Sequence, residues 1–263
     1  MHSKILQVAS LILLSQSFNI KSVLAISLPS LEINPRAGNP TVLDDGTGAP
    51  PGKKYNQGKT DAGWVWQSTG VLTHGCTDDK IHITDCYGLR LSADTSKSLE
   101  AGLPDDAAPR QRIEFATGQK GVAGETHQYE WKFYLSSQTG STKNFFHLMQ
   151  LVNEKAEGVV KTGPVITLDA RNGKVQIEDV FKQGCTTGQN CPSLSLADFE
   201  DRTTLHRVTV TFGENGHLLY VIQDADNGNK QLLKYEVKGN MGTGGSVKLG
   251  TYRAAVDGMT ASL

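Results

Sequence analysis

The chain has 263 residues, with 26 basic and 27 acidic side chains and a formal net charge of −1. So even a balance excludes binding nucleic acid through a broad positive surface, although a local basic groove for an anionic sugar polymer stays open. Hydrophobic residues make up 38% and charged residues 20%, which is ordinary for a globular chain and rules out a low-complexity or wholly disordered one.

Residues 1–25 read as a secretory signal, with Lys4 at a positive start, an apolar run from Ile5 to Leu14, and Val23-Leu24-Ala25 as a small-residue cleavage site. The apolar run is too short to span a bilayer, and no other segment comes near one. The expected product is therefore secreted and extracellular, with neither membrane nor nucleic acid as a partner. Losing the signal removes Lys4 and Lys21 and no acidic residue, so the remainder carries 24 − 27 = −3.

Residues 26–62 are rich in Gly, Pro, Asn and Asp and show no sustained period, which predicts an extended or disordered lead-in. An ordered domain is expected over 63–263, opening at Gly63-Trp64-Val65-Trp66. About 200 residues suffice for one well-buried core. Four cysteines fall within it, and an even count in an exported chain reads as disulfides. The simplest of the three possible pairings joins near neighbours, Cys76 with Cys86 and Cys185 with Cys191. No C-x2-C pair or nearby histidine set supports zinc instead.

From there the pattern is strand after strand. Segments Leu89 to Ser92, Arg110 to Phe115, Tyr129 to Leu135, Phe145 to Val152, Val165 to Ala170, Lys174 to Asp179, Leu205 to Phe212, His217 to Gln223 and Leu232 to Lys238 alternate β-branched or aromatic residues with polar ones. Asn172-Gly173 and Asn215-Gly216 are candidate type I′ hairpins, and Asp226-Asn227-Gly228-Asn229 is a longer polar turn. Ser195 to Asp201 alone resembles a short helix, with Ser195 as its cap. The class is all-β, and many antiparallel strands without an internal repeat predict a two-sheet antiparallel β-jelly roll. Asp224, Asp226, Asn227 and Asn229 offer oxygens that suit a structural calcium ion, with a solvated hairpin tip as the plainer reading; no cofactor is required.

Three strands could carry chemistry. In Arg110-Gln111-Arg112-Ile113-Glu114-Phe115, alternation puts Arg110, Arg112 and Glu114 on one face and the apolar pair on the other. A guanidinium binds a carboxylate bidentately, and Glu114 could orient Arg112 for that role. In Asn144-Phe145-Phe146-His147-Leu148-Met149-Gln150-Leu151-Val152, core-facing Phe146 and Leu148 place Phe145, His147 and Met149 on the open face. Gln150 then points inward unless a bulge re-aims it. In Val247-Lys248-Leu249-Gly250-Thr251-Tyr252-Arg253, Lys248, Gly250 and Tyr252 share a face, and the glycine leaves floor space for a ligand.

RQRIEF, NFFHLMQL and VKLGTYRA occur in an order that resembles the jelly-roll polysaccharide lyases, especially fungal-type glucuronan lyases and their heparin-lyase and alginate-lyase relatives. The resemblance spans about residues 64–255. It implies a concanavalin A-like sandwich that cleaves a uronate-containing anionic polysaccharide by β-elimination; a monomer is the expected state, which the sequence itself leaves open. Arg112 resembles the arginine of that family's R-x-E strand, Lys248 and Tyr252 match its K-x-G-x-Y strand, and His147 or Gln150 falls on the central strand. Alginate-lyase relatives carry glutamine two residues before histidine on that strand. Here histidine comes first and glutamine three residues later, which leaves His82 or His127 as alternative histidines.

The chemistry suits these residue types. Neutralising the uronate carboxylate lets charge developing on an enediolate be stabilised where it appears. A base must take the C5 proton and an acid must protonate the departing oxygen. Tyr252 is expected to do both, with His147 as its partner or as the base. Arg110, Arg112, Gln150, Lys248 and Arg253 are the candidate substrate-binding residues, and Lys248 or Arg253 would favour a phenolate, with Arg253 on the opposite face by strict alternation. A non-catalytic carbohydrate-binding jelly roll recognising acidic glycans is the alternative. A glucanase E-x-D-x-x-E strand and a G-x-S-x-G nucleophile elbow are both absent.

Overall fold

The computed structural model describes residues 40–153 and 163–263. The signal segment and residues 26–39 of the lead-in lie outside the described residues. Residues 40–62 do not continue the extended or disordered lead-in, because β1 (Thr41–Asp45) and β2 (Asn56–Lys59) fall within them. The two strands pair antiparallel with β4 (Val71–His74) and β3 (Val65–Ser68) respectively. Low apolar content hid them, since each is a short edge strand with one polar side.

The remaining elements are β5 (Tyr87–Arg90), β6 (Arg110–Ala116), β7 (Thr126–Tyr134), β8 (Phe146–Asn153), β9 (Gly163–Arg171), β10 (Lys174–Asp179) and β11 (Ser193–Ser195). After them come α1 (Leu196–Phe199), β12 (Thr203–Thr211), β13 (Gly216–Asp224), β14 (Lys230–Gly239) and β15 (Ser246–Ala254). Ser195 caps the helix by accepting from the Asp198 amide. Asn172 and Gly173 both take positive φ, as a type I′ turn demands. Asn215-Gly216 does not form the expected two-residue turn. The connection there runs over 212–215, and it is Gly213 that takes positive φ, at +116°.

The strands form an eight-stranded sheet in the order β11-β10-β9-β8-β15-β6-β3-β2, a four-stranded sheet β14-β13-β12-β7 and a three-stranded sheet β1-β4-β5. The two smaller sheets cover one face of the large one. Under the four-stranded sheet, Leu151, Ile166, Leu168, Val175, Ile177 and Val247 pack against Val208, Val210, Leu218, Tyr220 and Ile222. Toward the three-stranded sheet, Trp66, Ile113 and Phe115 pack with Leu72 and Leu91. The architecture is thus the all-β, two-layer antiparallel jelly roll.

Period-two alternation has a direct consequence for the other face of the large sheet. With Ile113, Phe115, Leu151, Leu168, Ala170, Val175 and Ile177 turned inward, Arg112, Glu114, Gln150, Thr167, Asp169, Gln176 and Glu178 are displayed on the opposite side. Both disulfides form as expected, Cys76 with Cys86 and Cys185 with Cys191. Among the described residues no helix is long and apolar enough to cross a membrane.

A buried histidine in the core sets a pH limit on stability. His206 is fully buried between Thr204 Oγ1 at 2.8 Å and Tyr220 Oη at 2.7 Å, with the Trp131 ring stacked on it at 5.0 Å. Phe133 and Phe199 close the remaining sides. Among the described residues no acid contacts it, and burial pulls its pKa down from 6.5 to about 3. Below pH 6.5 the unfolded chain therefore binds a proton that the folded chain refuses, so stability falls as pH falls toward 3. Urea unfolding between about pH 6 and pH 4 should lose up to about 1.4 kcal/mol per pH unit to this residue alone, and a His206→Gln variant should show a pH slope shallower by that amount. An unchanged slope in the variant would show that His206 takes no part.

Candidate functional site

Four strands of the large sheet, β6, β15, β8 and β9, bring the candidate residues into one row. In register, Arg112 pairs with Tyr252, Tyr252 with His147, and His147 with Asp169. A second row runs beside it, from Glu114 opposite Gly250 and from Lys248 opposite Gln150 to Thr167. Both rows lie on the face not covered by the smaller sheets.

Two irregularities make this arrangement. Between His147 and Met149, β8 gains a residue relative to β9, and between Leu249 and Tyr252, β15 gains one relative to β8. The first turns Leu148 and Met149 both into the core, so Met149 does not take the open face that strict alternation assigns it. The bulge also re-aims Gln150 outward, where its Nε2 donates to Glu114 Oε1 at 2.5 Å. His147 and Gln150, three apart in sequence, therefore share a face.

Gly250 serves the backbone rather than a ligand. Its φ is +135°, and a Cβ placed there would lie 2.3 Å from the Ile113 carbonyl oxygen of β6. The strands approach too closely at this point for any side chain, which corrects the expectation of floor space for a ligand.

Arg112 is the most connected residue of the face. Its Nε donates to Glu100 Oε1 at 2.5 Å, and its Nη1 donates to Glu114 Oε2 at 2.9 Å and to Gln67 Oε1 at 3.1 Å. The guanidinium lies 3.9 Å above the centre of the Tyr252 ring, with the Tyr55 ring 5.5 Å away on another side. Burial opposes its charge, but Glu114, Glu100 and Tyr252 outweigh that and hold the group above its ordinary value. Glu114 thus orients Arg112 as the sequence suggests. With Glu100 it takes two of the guanidinium's five N–H groups.

The cation that meets the phenol is Arg110. Its Nη1 donates to Tyr252 Oη at 3.1 Å, a contact that places positive charge where negative charge on that oxygen would develop. Lys248 makes no hydrogen bond to Tyr252 among the described residues. Arg253 lies on the other side of the strand, 2% exposed, with Nε on Gln111 Oε1 and Nη2 on the Ser92 carbonyl, each at 2.9 Å. Burial pulls its guanidinium down to about 10. Arg253 is therefore a core clamp away from this face and not one of the groups that meet there.

His147 stands beside Tyr252, with ring centroids 5.7 Å apart, and Phe145 contacts both rings at 4.9 and 5.2 Å. Its Nδ1 lies 2.6 Å from Asp169 Oδ1. The alternative histidines are engaged elsewhere: His82 with Asp226, and His127 with Glu125 and Tyr129. Sequence reasoning missed Asp169, Glu100 and Gln67. Asp169 could have been found as the one acid interrupting the apolar run Val165-Ile166-Thr167-Leu168-Asp169-Ala170, whereas the loop residue Glu100 carries no such signal.

The oxygen-rich turn after β13 is tied into the fold. Asp224 Oδ2 accepts from Arg202 Nη1 at 2.8 Å, and Asp226 contacts His82 Nδ1 and the Thr203 amide, each at 2.7 Å. Among the described residues no group of three or more His, Cys, Asp or Glu side chains could hold a metal ion.

No family model and no curated protein matches the chain. Among solved structures it is similar to an endo-β-1,4-glucuronan lyase from the fungus Trichoderma reesei, at 13% identity and a TM-score of 0.49, over 79% of this chain and 90% of that one. It is also similar to the exoplasmic/lumenal domain of VIP36 in its Ca2+/Man2-bound form, at 11% identity and a TM-score of 0.38, over 80% and 82%. A third similar chain is the metal-free carbohydrate recognition domain of Emp46p, at 12% identity and a TM-score of 0.30, over 56% and 77%. Likenesses at this level assign no residue of this chain a role.

The backbone requirement at Gly250 is directly testable. A Gly250→Ala variant must move β6 or straighten β15, and should lose about 2–4 kcal/mol in urea unfolding. A loss under about 1 kcal/mol would show that the close approach is not tight.

Proposed function

We propose that this protein is a secreted polysaccharide lyase that cleaves a uronate-containing, glucuronan-like polymer by β-elimination. The observation that carries the reading is the Arg110–Tyr252 contact, 3.1 Å from guanidinium to phenol oxygen, with a histidine ring at 5.7 Å on the same face. A phenol touched by a cation and flanked by an imidazole offers an acid and a base within one sugar ring of each other.

In this reading Tyr252 protonates the departing glycosidic oxygen, and Tyr252 or His147 takes the C5 proton. Electrons left by that proton form the C4–C5 double bond as the C4–O bond breaks, so the proton lost at C5 is balanced by the one gained at the leaving oxygen. Charge developing on Tyr252 Oη is met by Arg110 and, through the ring, by Arg112. Arg110 and Lys248, both half-exposed, are the cations left to meet a uronate carboxylate. Arg112 and Gln150 shape the site through Glu114 rather than by gripping substrate. The signal-like segment and two disulfides fit an extracellular enzyme.

A specific observation also favours binding without cleavage. Glu100 and Glu114 offset Arg112, so the face is polar and ion-paired rather than strongly basic. Incubating the mature protein with glucuronan, alginate and heparin while following ultraviolet absorbance of unsaturated ends separates the two. The lyase reading expects absorbance to rise with at least one polymer, and kcat to fall on the order of 100-fold in Tyr252→Phe. Full rate in that variant would overturn the mechanism, and binding with no absorbance gain would make the protein a glycan-binding jelly roll.

A further inference from the structure

Asp169 sits at the end of the row that begins at Arg112, and its surroundings are unusual for a charged side chain. It is 0% exposed, its Oδ1 lies 2.6 Å from His147 Nδ1, and its Oδ2 is buried with no hydrogen-bond partner. Its register neighbour on the far side, Gln176, gives its amide to Glu178 instead, at 3.2 Å. A buried carboxylate with a single partner is costly unless that partner can carry positive charge. Here the partner is an imidazole.

We infer that Asp169 is a positioning residue for His147, fixing the imidazole as its Nδ1–H tautomer and supplying the counter-charge when Nε2 holds a proton. The inference rests on the reading of His147 as a proton-transfer group of the elimination. Nδ1 is spent on Asp169, and Nε2 is the ring nitrogen without a protein partner among the described residues. The ring itself is held in place by Phe145, stacked at 4.9 Å, and by the bulge that aligns β8 with β9. The charged or titratable groups beside it are Asp169 from β9 and Tyr252 from β15, with Arg112 of β6 behind the phenol. A tautomer fixed in this way presents a lone pair to the substrate side at every encounter, which a freely exchanging imidazole does not.

A purely structural role predicts different behaviour, and two measurements separate them. In nitrogen NMR of the histidine-labelled wild-type protein at neutral pH, His147 should be protonated at Nδ1 and not at Nε2 when neutral. In Asp169→Asn that preference should be lost, and kcat on the responsive polymer should fall on the order of 100-fold while KM changes by less than about two-fold. Placed in a His147→Ala background, Asp169→Asn should change the residual rate by less than about two-fold, because a residue acting through His147 has nothing left to act on. An Nε2–H tautomer in the wild type, or losses that simply multiply in the double variant, would overturn the inference. If Asp169→Asn does not fold, the wild-type tautomer decides by itself. Absence of elimination on every uronate polymer would sink the lyase reading, yet the tautomer would still decide whether Asp169 positions His147.

Discussion

A guanidinium taken largely out of water is tolerable only when its charge and its N–H groups are answered, and Arg112 is answered by Glu100, Glu114 and Gln67 together. Removing one partner of such a pair typically costs about 3–5 kcal/mol, because the remaining charge is left buried. The network therefore acts as a frame. Glu114 is held between Arg112 and Gln150, so strands β6 and β8 are tied across β15, and Tyr252 is pressed under the guanidinium between them. The phenol oxygen that reaches Arg110 is thus set by charges that never need to touch a ligand.

That frame depends in turn on irregular backbone. Without the extra residue in β8, His147 and Gln150 would point to opposite faces, and Glu114 would lose its amide partner. Without a glycine at 250, β15 could not lie against Ile113 and Glu114 while offering Tyr252 to His147. Bulges and positive-φ glycines can aim side chains rather than merely pair strands, and the β8 bulge and Gly250 flank the same aromatic pair.

Most of the sandwich was legible in the sequence because its strands obey one rule. Alternation in Arg110 to Phe115 and in Lys174 to Asp179 follows from burial of one face, and those strands form where the pattern puts them. Edge strands β1 and β2 escaped, since a strand held by backbone pairing at a rim needs little apolar content to declare it. Tyr252, His147, Arg110 and Arg112 were legible as a group because alternation assigns them one face. Their partners were not. Which cation meets the phenol depends on side-chain reach across β6 and β15, so Arg110 rather than Lys248 holds that place, and Glu100 arrives from a loop that no period describes.

The proposed activity has one defining chemical outcome, a proton leaving C5 of a uronate as the adjacent glycosidic bond breaks. Proton NMR of the products from glucuronan, alginate and heparin tests this most directly, because elimination leaves a vinylic proton at C4 of each new non-reducing end. For a lyase, that signal should grow in step with chain shortening on at least one polymer. Chain shortening with reducing ends and no vinylic proton would mean hydrolysis, and would overturn the lyase reading.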